Sequence, residues 1–267
     1  SSRSSRLIHG GLRYLREGHF ALVREALGER ERLLRLAPHL VWPLPMLMPF
    51  FADGGGNRWL NWLGVHAYHR LAGASALPAP AMLSATQAAR AFPGLRTRGL
   101  RGALLFHDAA TVDGRLTLAN VEDAARAGAQ VINHCALTGL APGGALQLAD
   151  RLGGTSFSVH AATVVNASGP HADRVRRLLG LDGAALLRIT RGSHLVLPPR
   201  EGGTALAAFL PDGRIQFVIP HADGTLCGTT DVEQASGEDE PAVPEEDLRY
   251  VLNALGWLMD PAPTRAD

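Results

Sequence analysis

The sequence predicts a mixed α/β (α+β) protein made of two interleaved parts, and three observations carry that prediction. A strand, helix, strand alternation runs from Gly102 to Asn133. After Arg188 the apolar alternation is mostly of period two, broken by the turn signals Pro211-Asp212-Gly213 and Ala222-Asp223-Gly224. Helical spacing marks the segments on either side, near residues 19–37 and 245–258. At 267 residues, with about 150 residues to a domain, one large domain or two small ones are expected.

Taken in order, Ser1 to Gly11 is a Ser/Gly-rich opening. His19 to Ala37 reads as a helix from the spacing of Val23, Ala26, Leu27, Leu33, Leu34 and Ala37, ended by Pro38. Val41 to Phe51 is extended because its prolines forbid helix. Gly54-Gly55-Gly56 turns the chain into an amphipathic helix from Arg58 to Leu71, and Ser84 caps a short helix to Ala91. Ala103 to Phe106 is predicted as a strand, Leu116 to Ala127 as a helix closed by Gly128, and Ala129 to Asn133 as a second strand. Gly143-Gly144 and Gly153-Gly154 punctuate a hairpin. Ala162 to Ala167 is expected to be an apolar strand that enters a helix through Ser168-Gly169-Pro170.

Composition narrows the function. Hydrophobic residues make up 46% and charged residues 19%, which suits a soluble globular protein with a sizeable core. No apolar run approaches the roughly 18 residues that would span a bilayer, and neither an integral membrane protein nor an exported precursor is expected. A net charge of +1 gives no footprint for a nucleic-acid backbone. All 26 basic residues are arginine, which removes lysine Schiff-base chemistry. Two cysteines in so long a chain are no disulfide scaffold, and a reducing compartment is the default.

Four places offer chemistry. Ser4-Ser5-Arg6-Leu7-Ile8-His9-Gly10-Gly11 combines hydroxyls and free N–H groups suited to a phosphate or pyrophosphate, with glycines that admit a flat ligand. Arg13 and Tyr14 follow as a bidentate cation and a hydroxyl. An ordinary helix cap with a glycine turn reads from the same residues. Ala167-Ser168-Gly169 has the form of a dinucleotide contact at a strand end, or of a plain strand-to-helix turn. His194 after Gly192-Ser193 could take a hydroxyl proton, or be a satisfied core histidine. His66 and His69 stand three apart on the tryptophan-bearing helix, but no cysteine or carboxylate cluster joins them, and no metal is expected. Trp59 and Trp62 with Arg58 and Arg70 suit lipid headgroups or simply core. G-x-G-x-x-G, P-loop and G-x-S-x-G motifs are missing.

Read together, these segments resemble the FAD-dependent (aerobic) glycerol-3-phosphate dehydrogenases of the D-amino-acid-oxidase-like flavoprotein superfamily. Ser1 to Leu15 is similar to the family stretch S-S-x-S-S-K-L-I-H-G-G-L-R-Y-L, departing at Arg6. Arg24 to Glu31 with Ala37-Pro38-His39 resembles E-A-L-x-E-R-E and A-P-H. Val165 to Pro170 is similar to V-N-A-T-G-P, Gly192-Ser193-His194 to K-G-S-H, and Gly228 to Glu233 to G-T-T-D-V-E. The matches run in the family's order along nearly the whole chain.

The resemblance implies an incomplete FAD-binding Rossmann-like domain (1–40 and 100–175) interleaved with an antiparallel-sheet substrate-binding domain (41–99 and 176–267). It implies FAD held by Ser4, Ser5, Arg6, Leu7, His9, Gly10, Gly11, Ala167, Ser168 and Gly169, with His194, Arg13 and Tyr14 at the substrate. The expected reaction is oxidation of sn-glycerol 3-phosphate to dihydroxyacetone phosphate by hydride transfer to FAD, with electrons passed to a membrane quinone. The implied setting is the cytoplasm, peripherally on the inner face of the cell membrane, and a homodimer is a further expectation. The family's G-x-G-x-x-G unit and its S-G-x-R-P and G-G-K-x-T-T-Y-R segments have no match, so the chain is expected to be an internal portion that binds FAD weakly or not at all. Competing readings are a glycerol-3-phosphate oxidase using oxygen and a non-catalytic interaction module.

Overall fold

A computed structural model describes residues 4–54, 56–234 and 242–267. The expectations that fall on Ser1 to Arg3 and on Gly55 lie outside these residues. In chain order the elements are β1 (Leu7–Ile8), α1 (Leu12–Arg16), α2 (Phe20–Leu36), β2 (Val41–Phe51), α3 (Arg58–Leu71), β3 (Ala81–Leu83), α4 (Ala85–Ala91), β4 (Leu100–Thr111) and α5 (Asp113–Arg126). There follow β5 (Cys135–Leu140), β6 (Leu146–Asp150), β7 (Ser156–Val159), α6 (Ala172–Leu178), β8 (Ile189–Arg191), β9 (His194–Leu197), β10 (Ala205–Phe209), β11 (Ile215–His221), β12 (Gly224–Gly228), β13 (Val232–Gln234) and α7 (Glu245–Leu258). The mixed α/β class is as the sequence predicts.

Two compact units form, residues 1–119, 192–230 and 243–267 in one, 120–191 and 231–242 in the other. The first holds an eight-stranded sheet ordered β1-β4-β2-β10-β11-β12-β9, with β3 also on β4. Its ladders are antiparallel except β2 with β10, which run parallel at Met46 and Leu47. Strands β2 and β4 pair over their lengths, from Val41↔Thr111 to Phe51↔Leu100. The sequence division at residues 41 and 100 separates these two neighbours.

Why β2 is a continuous apolar run follows from the sheet's burial on both faces. Leu47 and Phe51 pack on one side with Leu206, Ala208, Val251, Leu255 and Leu258. Met46, Met48 and Phe50 pack on the other with Val65, Phe106, Ala207 and Ile219. Burying each such side chain contributes about 1.5–3 kcal/mol. Pro43, Pro45 and Pro49 share one parity, so their missing N–H groups all lie along one side of the strand. The full ladder to β4 occupies one side, and β10 joins only between Pro45 and Pro49, where no proline intervenes. In this way a central strand accommodates residues ordinarily confined to edges.

The second unit contains a three-stranded antiparallel sheet ordered β5-β6-β7 and the β8–β13 pair. Two expected strands are corrected here. Ala129 to Asn133 is irregular, and a positive φ of 54° at His134 separates it from the strand that does form at Cys135. Ala162 to Ala167 is likewise not a strand, and its Val165 is 82% exposed. Apolar composition makes a strand only where a neighbour completes the ladder, and none pairs with either run among the described residues. The predicted strand, helix, strand unit is therefore not a paired unit: its first strand lies within β4 of the eight-stranded sheet, and its last does not form, the small sheet beginning only at Cys135.

Candidate functional site

The opening segment is laid along the end of β4. Leu7 and Ile8 pair with Ala110 and Ala109, and the Thr111 N–H donates to the Arg6 carbonyl at 3.0 Å. That pairing carries Ser5 to His194: its Oγ lies 2.9 Å from the imidazole Nε2. His194 opens β9 opposite Gly228 of β12. A Cβ on Gly228 would stand 2.5 Å from the imidazole Cδ2, so only glycine leaves room for the ring. Burial pushes the His194 pKa below the ordinary 6.5, and the ring is neutral at pH 7.

Behind His194 stands a support the sequence reading did not single out. The Ser193 N–H donates to Thr230 Oγ1 at 2.8 Å, while the Ser193 hydroxyl (2.5 Å) and the Thr230 hydroxyl (3.3 Å) both donate to Asp247 Oδ2. Asp247 lies in the first turn of α7, where carboxylates are favoured, and is buried. Its place in the run Glu245-Glu246-Asp247 gave no sign that one of the three turns inward.

Around Ser4 and Arg6 a polar cluster forms. Ser4 Oγ donates to Asp113 Oδ2 and accepts from the Arg6 N–H at 3.0 Å. Arg6 Nη1 donates to both Asp223 oxygens, at 2.8 and 3.0 Å, which holds that carboxyl below the usual carboxylate range. Nearby His221 is depressed, first by burial and then by the Arg6 charge, and its Nε2 is buried without a partner.

His9 Nδ1 accepts from the Gly11 N–H at 2.9 Å, and the Gly10 N–H donates to the Tyr68 hydroxyl at 2.5 Å. Both glycines are required. A Cβ on Gly10 would come within 2.5 Å of Leu27, and Gly11 has φ +71 with the Tyr14 ring 2.5 Å from its missing Cβ. Arg13 is exposed and its Nε donates to Glu17 at 3.2 Å. Tyr14 is half-exposed and meets His19 edge-on at 6.5 Å. Among the described residues no hydrogen bond joins Arg13 or Tyr14 to His194.

Ala167, Ser168 and Gly169 lie in the second unit. There the Ser168 N–H (3.3 Å) and hydroxyl (2.7 Å) donate to Asn166 Oδ1, and Gly169 has φ +58. On α3, His66 Nδ1 contacts the Trp62 carbonyl at 2.9 Å and its ring lies against that indole. Among the described residues no group of three or more His, Cys, Asp or Glu is placed to hold a metal ion.

The donor set fits a flavin dinucleotide of the kind the resemblance implies. Arg6 supplies a cation and Ser4 and Ser5 supply hydroxyls. The orphaned His221 Nε2 beside them is a buried group whose hydrogen-bond capacity an anionic ligand would use.

Comparison with known proteins places this arrangement. The chain is 34% identical to the human mitochondrial glycerol-3-phosphate dehydrogenase, over 96% of this chain and 37% of that protein. It is 35% identical to the Mycobacterium leprae glycerol-3-phosphate dehydrogenase, over 100% of this chain and 46% of that protein. Among solved structures, that of the Bacillus halodurans glycerol-3-phosphate dehydrogenase complexed with FAD superposes with a TM-score of 0.77 at 27% identity, covering 100% of this chain and 47% of that one. The chain thus spans less than half the length of these relatives. The family model for FAD-dependent oxidoreductases, DAO, matches residues 1–267, every position that carries the sheet and the Ser5–His194 pair described above. The chain belongs to the DAO family of FAD-dependent oxidoreductases.

Proposed function

We propose that the full-length protein oxidises sn-glycerol 3-phosphate to dihydroxyacetone phosphate, and that the Ser5–His194 pair is the proton-handling end of the site. The relatives' names support the substrate, and the 2.9 Å contact between Ser5 Oγ and His194 Nε2 carries the mechanism. FAD, when bound, supplies a two-electron acceptor for the hydride leaving C2. His194, whose pKa burial lowers, takes up the C2 hydroxyl proton by way of Ser5: the Ser5 hydroxyl gives its own proton to Nε2 as it receives the substrate's. Asp247, through Ser193 and Thr230, fixes the backbone on either side of the ring's pocket. Arg13 exchanges Glu17 for the substrate phosphate, a doubly charged and better-matched partner, and Tyr14 adds a hydroxyl at the same end. Ser4, Ser5, Arg6, Leu7, His9, Gly10 and Gly11 line the flavin.

Electrons pass to a membrane quinone, and the protein sits peripherally on the inner face of the cell membrane. Exposed Trp59, Leu60 and Leu63 on α3, with Arg58 stacked 4.7 Å from the Trp59 ring, support a headgroup contact. No helix of the described residues is long and apolar enough to cross a membrane.

The test is kinetic. In the full-length protein His194→Ala is expected to lower kcat/KM for glycerol 3-phosphate by about 10²–10⁴-fold. Turnover unchanged in that variant would remove His194 as the base. Peroxide formed with oxygen consumption, in place of quinone reduction, would instead identify an oxidase.

A further inference from the structure

Three elements of the first unit converge on a single backbone N–H. Tyr68, from α3, is 2% exposed, and its hydroxyl accepts from Gly10 N–H at 2.5 Å while donating to Asp108, whose Oδ1 and Oδ2 lie 2.9 and 3.1 Å away. Asp108, from β4, accepts from Arg30 Nη1 of α2 at 2.6 Å. Arg30 Nη2 is held in turn by Glu31 Oε1 at 2.7 Å, and that oxygen accepts from Ser75 Oγ at 2.7 Å. Arg30 and Asp108 are both buried, 1% and 3% exposed.

We propose that Tyr68 is a positioning residue for the flavin-binding turn: it transmits the fixed geometry of the Arg30–Asp108 pair to Gly10 and thereby sets the shape of His9-Gly10-Gly11. The inference rests on the reading above that this turn lines FAD. Its physical basis is polarity in series. A carboxylate that draws on the phenol's proton makes the phenol oxygen a stronger acceptor, and the Gly10 N–H is where that acceptor is used. A well-packed apolar cluster of the same volume would hold α2, α3 and β4 together about as well as a buried ion pair. Fold stability alone therefore gives no reason for the chain that ends on Gly10. The Gly11 N–H donates within the turn to His9 Nδ1, and the Gly11 carbonyl accepts from the Tyr14 N–H of α1 at 2.9 Å, but neither bond reaches the Gly10 N–H.

The decisive variant is Tyr68→Phe, which keeps the ring against Gly10 and removes the hydroxyl. A buried N–H left without its acceptor opens more readily, and its amide exchange is expected to rise about tenfold or more. Exchange at Val23 and Leu27 in α2 should stay within about twofold, and in the full-length protein the Kd for FAD should rise about tenfold with a changed visible spectrum of the bound flavin. Ser75→Ala, at the far end of the series, is expected to leave Gly10 exchange unchanged. Unaltered exchange at Gly10 in Tyr68→Phe overturns the proposal, and so do an unaltered FAD Kd and spectrum. Should Tyr68→Phe not fold, Asp108→Asn, which keeps volume and removes the charge that polarises the phenol, is expected to raise exchange at Gly10 more than at Val23 and Leu27, where loss of the Arg30 partner also acts; a rise no larger at Gly10 overturns the proposal. Failure of the functional reading is separate: wild-type full-length protein would bind no FAD or would not oxidise glycerol 3-phosphate, and the exchange measurement would then decide by itself whether Tyr68 sets the turn.

Discussion

Replacing Arg30 with methionine would strand two carboxylates, Asp108 and Glu31, that now share one guanidinium inside the first unit. Removing one partner of a buried pair costs about 3–5 kcal/mol, and chemical denaturation of Arg30→Met should show a loss of that order. Arg30 was not legible as a core residue. It lies in Arg24 to Glu31, a stretch crowded with charged residues, and its burial depends on a carboxylate 78 positions later. Ser5 and His194 present the opposite case. Each was visible as a site residue, but spacing encodes only local geometry, so their contact across 189 positions came from the sheet alone. Because burial depresses the His194 pKa, kcat/KM should hold level as pH falls through 6.5 and decline only at lower pH, and this acid limb should vanish in His194→Ala.

Among elements, those whose sequence carries both a period and a stop signal were the legible ones. Helices α3 and α7 and strand β2 have the predicted bounds, and α4 begins at its predicted cap, where Ser84 and Gln87 exchange hydrogen bonds. Ser84→Ala should therefore cost about 1 kcal/mol, read as a lowered denaturation midpoint at an unchanged slope. Apolar runs 129–133 and 162–167 misled because their character as strands is decided by a neighbour, not by their own residues. Strand β4 was read four residues long and runs from Leu100 to Thr111. The polar pair His107-Asp108 hid its continuation, since Asp108 is inward-facing only by virtue of Arg30 and Tyr68.

At the scale of the whole fold, four histidines among the described residues, His69, His107, His194 and His221, are depressed below 6.5, each chiefly by burial. A depressed imidazole binds fewer protons folded than unfolded, so stability rises with pH in the window between the folded values and 6.5. Thermal melts should show Tm falling as pH drops below about 6.5 and levelling once it is below the folded values. Family membership was the most legible property of all, because ordered motifs survive where single spacings are ambiguous. The parallel joint between Met46-Leu47 and Ala205-Leu206 has a temporal consequence. On a ribosome adding about 5–20 residues per second, the segment that completes the sheet emerges roughly 10–30 s after β2. Throughout that interval one flank of β2 stands open to any passing chain, and Pro43, Pro45 and Pro49 deny a stranger the regular ladder it would need to bind there.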